Sequence, residues 1–353
     1  MPPKPNIRTA AAPPPSGFTH LRTRRLISIS GHDSPRFLQG ILTNTIQPHS
    51  RAGVYSAFLT ASGRVLHDVF VYPTLGTKWE QGGEAGYMIE VDGGYTDQFM
   101  RHLKKHKLRA KFGIRVLEEG ELNVWNLWRD GVGRWTAHTK GMTGGLGLTD
   151  CRAPGMGQRV LLPGGTMPEE GGLQEAPDSA YMIRRYLRGV PEGQVEIPRE
   201  ESLPMNCNID IMGGIDFKKG CYMGQELTIR THHTGVVRKR ILPVALYPDT
   251  PPDTLEYDPS GPTVDEQNAD IRRQDKRKRS TGKLVASIGN VGLAMCRVEQ
   301  MTDLAVSGEG SPFSPEDRFT VTLADGTEVG VKAFVPAWMR GRIREPKIKR
   351  TVD

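Results

Sequence analysis

A chain of 353 residues with 37% apolar and 25% charged side chains can bury a large core and divide into two or three domains. Its formal charge of +7 is modest, and no run of about eighteen apolar residues occurs, so no membrane-spanning helix is expected. The cysteines, Cys151, Cys207, Cys221 and Cys296, form no CxxC pair, which argues against a zinc site, against a complete thiolate cluster cage made by this chain alone, and against a secreted disulfide framework.

The N-terminal segment MPPKPNIRTAAAPPPSGF carries basic residues, and no acid precedes Asp33. Its prolines disfavour an amphipathic helix, so residues 1–17 are expected to be a flexible tail or the remnant of a trimmed leader. An apolar and basic strand follows at 21–29. Asp33 or Ser34 can cap a short helix with Pro35 in its first turn and Phe37, Leu38 and Ile41 on its inner face. Strands at 54–60 and 64–72 form a hairpin around Ala61-Ser62-Gly63. A strand at 87–91, a helix at 95–107 with Phe99 and Leu103 inward, and strands near 114–117 and 122–127 follow. That order is compatible with a split βαβ, ferredoxin-like subdomain spanning about residues 80–150.

After the glycine-rich stretch 141–147, residues 150–159 lead into a strand at 160–162. Asp178 or Ser179 caps a helix that runs through Arg188 and stops at Gly189, with Pro191 just beyond. Arg184, Arg185 and Arg188 near its end suit the helix dipole, a role preferred to a phosphate clamp. Short strands at 236–246, 282–288, 291–298, 318–323 and 328–334, the last two joined at Asp325-Gly326, suggest a small antiparallel barrel or sandwich within 236–353. The intervening Pro, Asp and Ser-rich segment is expected to be a disordered insert at about 249–281. It holds most of the basic run 272–283, which is read as a solvated loop, with nucleic-acid binding the minor alternative.

Residues 219–226 read KGCYMGQE. Cys221 follows Lys218, Lys219 and Gly220 where an extended segment (214–217) gives way to a helix-like one (225–233). A thiol at that junction would meet unpaired N–H groups and the positive end of a helix, with two lysines beside it. Such surroundings favour the thiolate, which attacks electrophiles and ligates soft metals. The opposing reading is a small buried hydrophobe, the usual fate of a free cysteine. Polar neighbours (Lys218, Lys219, Gln225, Glu226) and the bracketing glycines Gly220 and Gly224 argue against it. Tyr222 is expected to pack, Gln225 and Glu226 to orient the motif by hydrogen bonds, and Gly220 to permit close approach. His232 and His233 diverge as neighbours on a helix and are read as surface residues.

The segment from Pro204 through Asn208 and GGIDFKKGCYMGQE (213–226) to Arg230 and Arg238-Lys239-Arg240 resembles the YgfZ branch of the superfamily that includes the glycine-cleavage T-protein. Stretches at 30–44, 59–73, 185–193 and, more weakly, 281–298 match in the same order, so the resemblance covers roughly residues 20–340. It implies an α+β, T-protein-like folate-binding fold at 18–235 with a ferredoxin-like subdomain, followed by a C-terminal antiparallel β-barrel. It also implies a mitochondrial matrix protein whose leader is a presequence remnant, monomeric on its own. The implied function is iron–sulfur cluster assembly with A-type carrier proteins toward [4Fe–4S] enzymes, without turnover. In that role Cys221 contributes a thiolate to a shared [2Fe–2S] cluster, with Lys218, Asn208 and Arg230 in support.

The T-protein's pterin-pocket acid has no ready counterpart. The comparable stretch is VDGGYTDQF (91–99), where Asp97 comes into register only with a gap. Aminomethyl transfer is therefore not carried over. A folate-shaped cavity for tetrahydrofolate stays open, with a folate-dependent one-carbon transferase or folate-regulated sensor as the alternative function. A basic interaction module acting through 272–283 is a third.

Overall fold

In the computed structural model, which describes residues 10–80, 86–131, 145–274, 280–307 and 312–343, strands assemble into two five-stranded sheets and one closed six-stranded barrel. The N-terminal part runs β1 (Ser16–His20), β2 (Arg24–Ser30), α1 (Ser34–Ile41), β3 (Val54–Leu59), β4 (Val65–Pro73), β5 (Gly86–Asp92), α2 (Thr96–Lys107) and β6 (Gly113–Val116). The middle runs β7 (Leu122–Arg129), β8 (Leu146–Thr149), β9 (Gln158–Pro163), β10 (Gln174–Glu175), α3 (Asp178–Arg188), α4 (Gly193–Glu196) and α5 (Gln225–Thr234). The barrel part runs β11 (Lys239–Tyr247), β12 (Ala269–Arg273), β13 (Ser280–Ile288), β14 (Val291–Arg297), α6 (Val298–Met301), β15 (Phe319–Thr322), β16 (Glu328–Ala333) and α7 (Ala337–Arg340). Among the described residues no helix is long and apolar enough to cross a membrane.

The first sheet has the order β3-β4-β5-β2-β6. Because β2 lies antiparallel to both β5 and β6, the unit β5–α2–β6 is a split βαβ. Leu38 and Ile41 of α1 and Phe99 and Leu103 of α2 bury in one cluster with Ile27, Ile29, Val69 and Ile89 of the sheet. The strand expected next in this subdomain belongs elsewhere. β7 joins the second sheet, β10-β1-β7-β9-β8, between β1 and β9. Trp125 and Leu127 of β7 pack there with Phe18, Val160 and Leu162 in a separate core.

Two further expectations are corrected. Residues 10–17 are not a flexible tail: β1 begins at Ser16, Trp128 Nε1 donates to Pro14 O at 2.9 Å, and Tyr257 Oη donates to Ala10 O at 2.7 Å. Residues 1–9 lie outside the described residues. Of the insert expected to be disordered over 249–281, the described residues 249–274 are likewise ordered against the barrel. Asn290 accepts from Asp258 N at 2.8 Å and donates to Glu256 O at 3.0 Å, Ser287 Oγ donates to Val264 O at 2.6 Å, and β12 closes the barrel between β13 and β15. Of the basic run, Arg273 in β12 pairs with Asp317; residues 275–279 lie outside the described residues.

Where the two sheets meet, buried charged side chains are set among the apolar residues that both sheets contribute, such as Leu26, Phe70, Val124 and Leu161. Arg24 Nε donates to Glu90 at 2.7 Å, Arg152 holds Asp150 through two bonds of 2.9 and 2.7 Å, and Arg159 reaches Glu90, Glu192 and Tyr181. Arg159 lies 4.1 Å and Arg152 4.9 Å over the Phe70 ring. Burial pushes the Glu192 carboxyl up, but Arg159 and Arg152 outweigh it and hold the group well below the usual carboxylate range. The helix arginines also turn inward instead of merely matching the dipole of α3. Arg184 pairs with Asp130 at 2.7 and 2.8 Å, and Arg185 pairs with Glu196 at 2.6 and 2.9 Å.

His67 of β4 is fully buried, packed edge-on to Phe99 with ring centroids 5.0 Å apart. Burial, helped by Arg199 and His102, pushes its imidazole down to about 3. An unfolded chain binds this proton near pH 6.5 and the folded one does not, so stability must fall as pH drops below 6.5 toward 3. Urea melts between pH 6.5 and 5 should show a decline of up to about 1.4 kcal/mol per pH unit from this residue. A His67→Leu variant should reduce the slope, leaving the part contributed by His102, whose imidazole burial pushes down to about 4; equal slopes would assign the decline to other groups. Carboxylates with lowered values lose their contribution only below their ordinary range near pH 4, outside that window.

Candidate functional site

The KGC loop is laced to the chain that leaves α1. Thr43 Oγ1 donates to Gly214 O at 2.6 Å, Asn44 Nδ2 donates to Gly213 O at 2.9 Å, and Met223 N donates to Gly40 O at 3.0 Å. Asp216 accepts from Thr45 Oγ1 at 2.5 Å and from Lys218 N at 2.8 Å. The Thr45 bond holds its carboxyl below the usual range against a smaller upward push from burial. Beyond the thiol, Tyr222 is buried, and its N–H donates to Gln225 Oε1 at 3.2 Å, a side-chain reach-back over the start of α5. Gln225 therefore has the orienting part expected of it. Burial pushes the Tyr222 hydroxyl up to about 12, so the ring packs and does not ionise near neutrality.

The exposed surface of the motif consists of Lys218, Gly220, Cys221 and Glu226, with Arg230 one turn along α5. Cys221 is a free thiol. Two of the sources of activation expected from sequence, the helix N-terminus and Lys219, do not surround it. α5 starts at Gln225 behind Gly224, so three residues separate the thiol from the first helical turn. The ammonium of Lys219 is turned inward onto three carbonyls, those of Gln39, Leu42 and Asn44, at 3.0, 2.6 and 2.9 Å. Asn208 is not part of this surface either. It is buried at φ 62°, donates to Ile241 O at 2.6 Å, and accepts from Arg240 at 3.4 Å, joining the segment to the barrel.

The other thiols do not complete a ligand set. Cys207 is buried and pushed up to about 12 by that burial, and Cys296 is buried and pushed up likewise. Cys151 is exposed with its Sγ 3.9 Å from Met212 O. Among the described residues no three His, Cys, Asp or Glu side chains are arranged to hold a metal. His232 stacks on Phe217, ring centroids 3.5 Å apart, and His233 is exposed. Behind α5 a cavity of about 790 Å³ is bordered by Phe217, His232, Asp210 and Arg240. Asp210 is spent on Arg240, which it accepts at 2.9 and 2.8 Å.

Comparison with known proteins places this chain in a family. Residues 238–341 match the family described as "CAF17, C-terminal beta-barrel domain". The mitochondrial protein named iron-sulfur cluster assembly factor IBA57 homolog from Pyricularia oryzae is 48% identical over 339 residues, spanning 92% of this chain and 85% of its own. The chain belongs to the IBA57 family of mitochondrial iron–sulfur cluster assembly factors. The IBA57 homolog of Aspergillus fumigatus is 43% identical over 378 residues, spanning 94% of this chain and 84% of its own. The crystal structure of the glycine cleavage system aminomethyltransferase T from Bartonella henselae superposes with a TM-score of 0.63 at 14% identity, covering 95% of this chain and 88% of that one. The IBA57 family member thus has the T-protein-like α+β fold with a C-terminal barrel, as the sequence implied.

Proposed function

We propose that this assembly factor acts in the mitochondrial matrix without turnover, presenting Cys221 as one thiolate ligand of a [2Fe–2S] cluster shared with an A-type carrier protein. The observation that carries the reading is the combination at Cys221: an exposed free thiol on a loop fixed by backbone and side-chain hydrogen bonds, with no second metal ligand gathered beside it among the described residues. A thiolate so placed offers a single coordination position, and an iron–sulfur cluster needs several. The remaining ligands then come from the partner, for which the cluster is cargo. Lys218, Glu226 and Arg230, exposed on the motif and on α5, offer charge of both signs and would set the carrier's orientation more than its affinity. On its own the chain is monomeric in this scheme.

The tetrahydrofolate reading has weaker support. Of the carboxylates that could meet a pterin, Asp210 at the large cavity has both oxygens on Arg240, and Asp97 is exposed in the first turn of α2. These residues do not fit the ligand.

The deciding experiment mixes the protein anaerobically with a carrier holding a [2Fe–2S] cluster and follows complex size and visible circular dichroism. Wild type should give a heterocomplex with a spectrum different from that of the carrier alone. Cys221→Ser should leave the cluster on the carrier. An unchanged heterocomplex and spectrum with Cys221→Ser would sink the shared-ligand reading.

A further inference from the structure

Lys219 has an arrangement that neither a solvated surface lysine nor a thiol-activating one would show. Its Nζ makes three hydrogen bonds of 2.6 to 3.0 Å, to the carbonyls of Leu42, Asn44 and Gln39. An ammonium has three N–H donors, and all three are used. Gln39 lies in the last turn of α1 and Leu42 is its C-cap, so the ammonium sits where the helix leaves carbonyls unpaired and its dipole is negative. The Tyr222 ring lies 5.0 Å from Nζ, on the far side of Cys221 in sequence. Burial outweighs the opposing pull of Asp216 and brings the amine down to about 8; three carbonyl acceptors require the charged form. The side chain is therefore a peg driven from the motif loop into the end of α1.

We infer that Lys219 is a positioning residue. It fixes the backbone on both sides of Cys221, through its own main chain before the thiol and through Tyr222 after it, so that the thiol is held out at one place. Gly220, between peg and thiol, is exposed and has nothing within 4 Å of where a Cβ would stand, so the peg adds its restraint to the bonds at Lys218, Tyr222 and Met223 N and not to packing at Gly220. The inference deepens the shared-ligand reading and rests on it for its consequence in cluster assembly. The positioning itself is testable without a carrier.

The test uses the full chain as wild type, Lys219→Met, Lys219→Arg and Cys221→Ser. Iodoacetamide labelling, resolved by peptide mass spectrometry with Cys151 as internal reference, should change in plateau rate at Cys221 by threefold or more in Lys219→Met. Lys219→Arg, which can still donate to carbonyls, should recover most of the wild-type rate. A charge acting directly on the thiol would instead move the pH midpoint of labelling, and that result would overturn the positioning role. So would a Lys219→Met rate equal to wild type. In the carrier experiment Lys219→Met should weaken the heterocomplex at least tenfold. If Cys221→Ser assembles normally while Lys219→Met still alters labelling, the shared-ligand reading fails and the positioning stands.

Discussion

An Arg159→Met variant is expected to lose about 3–5 kcal/mol of stability, the usual cost of removing one partner from a buried charge network. Arg159 is fully buried, and its guanidinium serves Glu90, Glu192 and Tyr181 while lying over Phe70. In the cluster the cations are Arg24, Arg152 and Arg159 and the anions Asp68, Glu90, Asp150 and Glu192, three against four. The substitution makes it two against four. Methionine keeps much of the packing volume, so the loss measures the uncompensated carboxylates and not a cavity. Their pKa values must rise in the folded variant, and a carboxyl raised above its unfolded value costs most at high pH. The deficit in urea melts should therefore shrink as pH falls from 8 to 5. Adding Glu192→Gln should restore part of the loss, because it removes one of the stranded charges. A deficit independent of pH and unaffected by Glu192→Gln would mean that packing on Phe70 matters more than charge.

This network also explains what could and could not be seen in the sequence. Strands β11, β13, β14 and β16 announce themselves because apolar residues recur along them, as Leu242, Val244 and Leu246 do in β11. β12 does not, since Ala269–Arg273 turns only Ile271 fully inward and otherwise reads as a polar linker. Its order comes from hydrogen bonds to β13 and β15, partners that no local window contains. The same holds for β7, whose pattern specifies a strand but not which of two sheets receives it. The arginines of α3 looked like ordinary helix-end charges because their carboxylates, Asp130 and Glu196, lie on other segments. At the candidate site the exposure of Cys221 was legible from its polar and glycine neighbours. The direction of Lys219 was not, because its acceptors are backbone carbonyls some 180 residues earlier in the chain. Sequence reasoning assigned its charge to the thiol that stood next to it, whereas three carbonyls at hydrogen-bond distance outweigh one neighbour.

The two glycines of the motif separate structure from recognition. Gly224→Ala is expected to destabilise the chain by about 2–4 kcal/mol and to displace the loop, whereas Gly220→Ala should stay within about 0.5 kcal/mol of wild type. Gly224 has φ 78°, and a Cβ there would stand 2.2 Å from Thr60 O and 2.9 Å from Leu59 Cβ. Neither is the far end of a flexible side chain, so either α5 or the β3–β4 hairpin must move. The hairpin has little room to do so, because Gly63 at its turn has φ 81° and lies against Gly224 O in turn. Gly220 has open space where its Cβ would be, and its backbone does not require glycine. Thermal melts should accordingly show a clear drop for Gly224→Ala and almost none for Gly220→Ala. Carrier assembly should fall in both, in the first because the thiol is misplaced, in the second because a methyl group occupies space beside Cys221 that a partner needs. Normal assembly by Gly220→Ala would mean that the partner's backbone does not approach at this position, and the shared cluster would then have to be reached from the Glu226 and Arg230 side of the thiol.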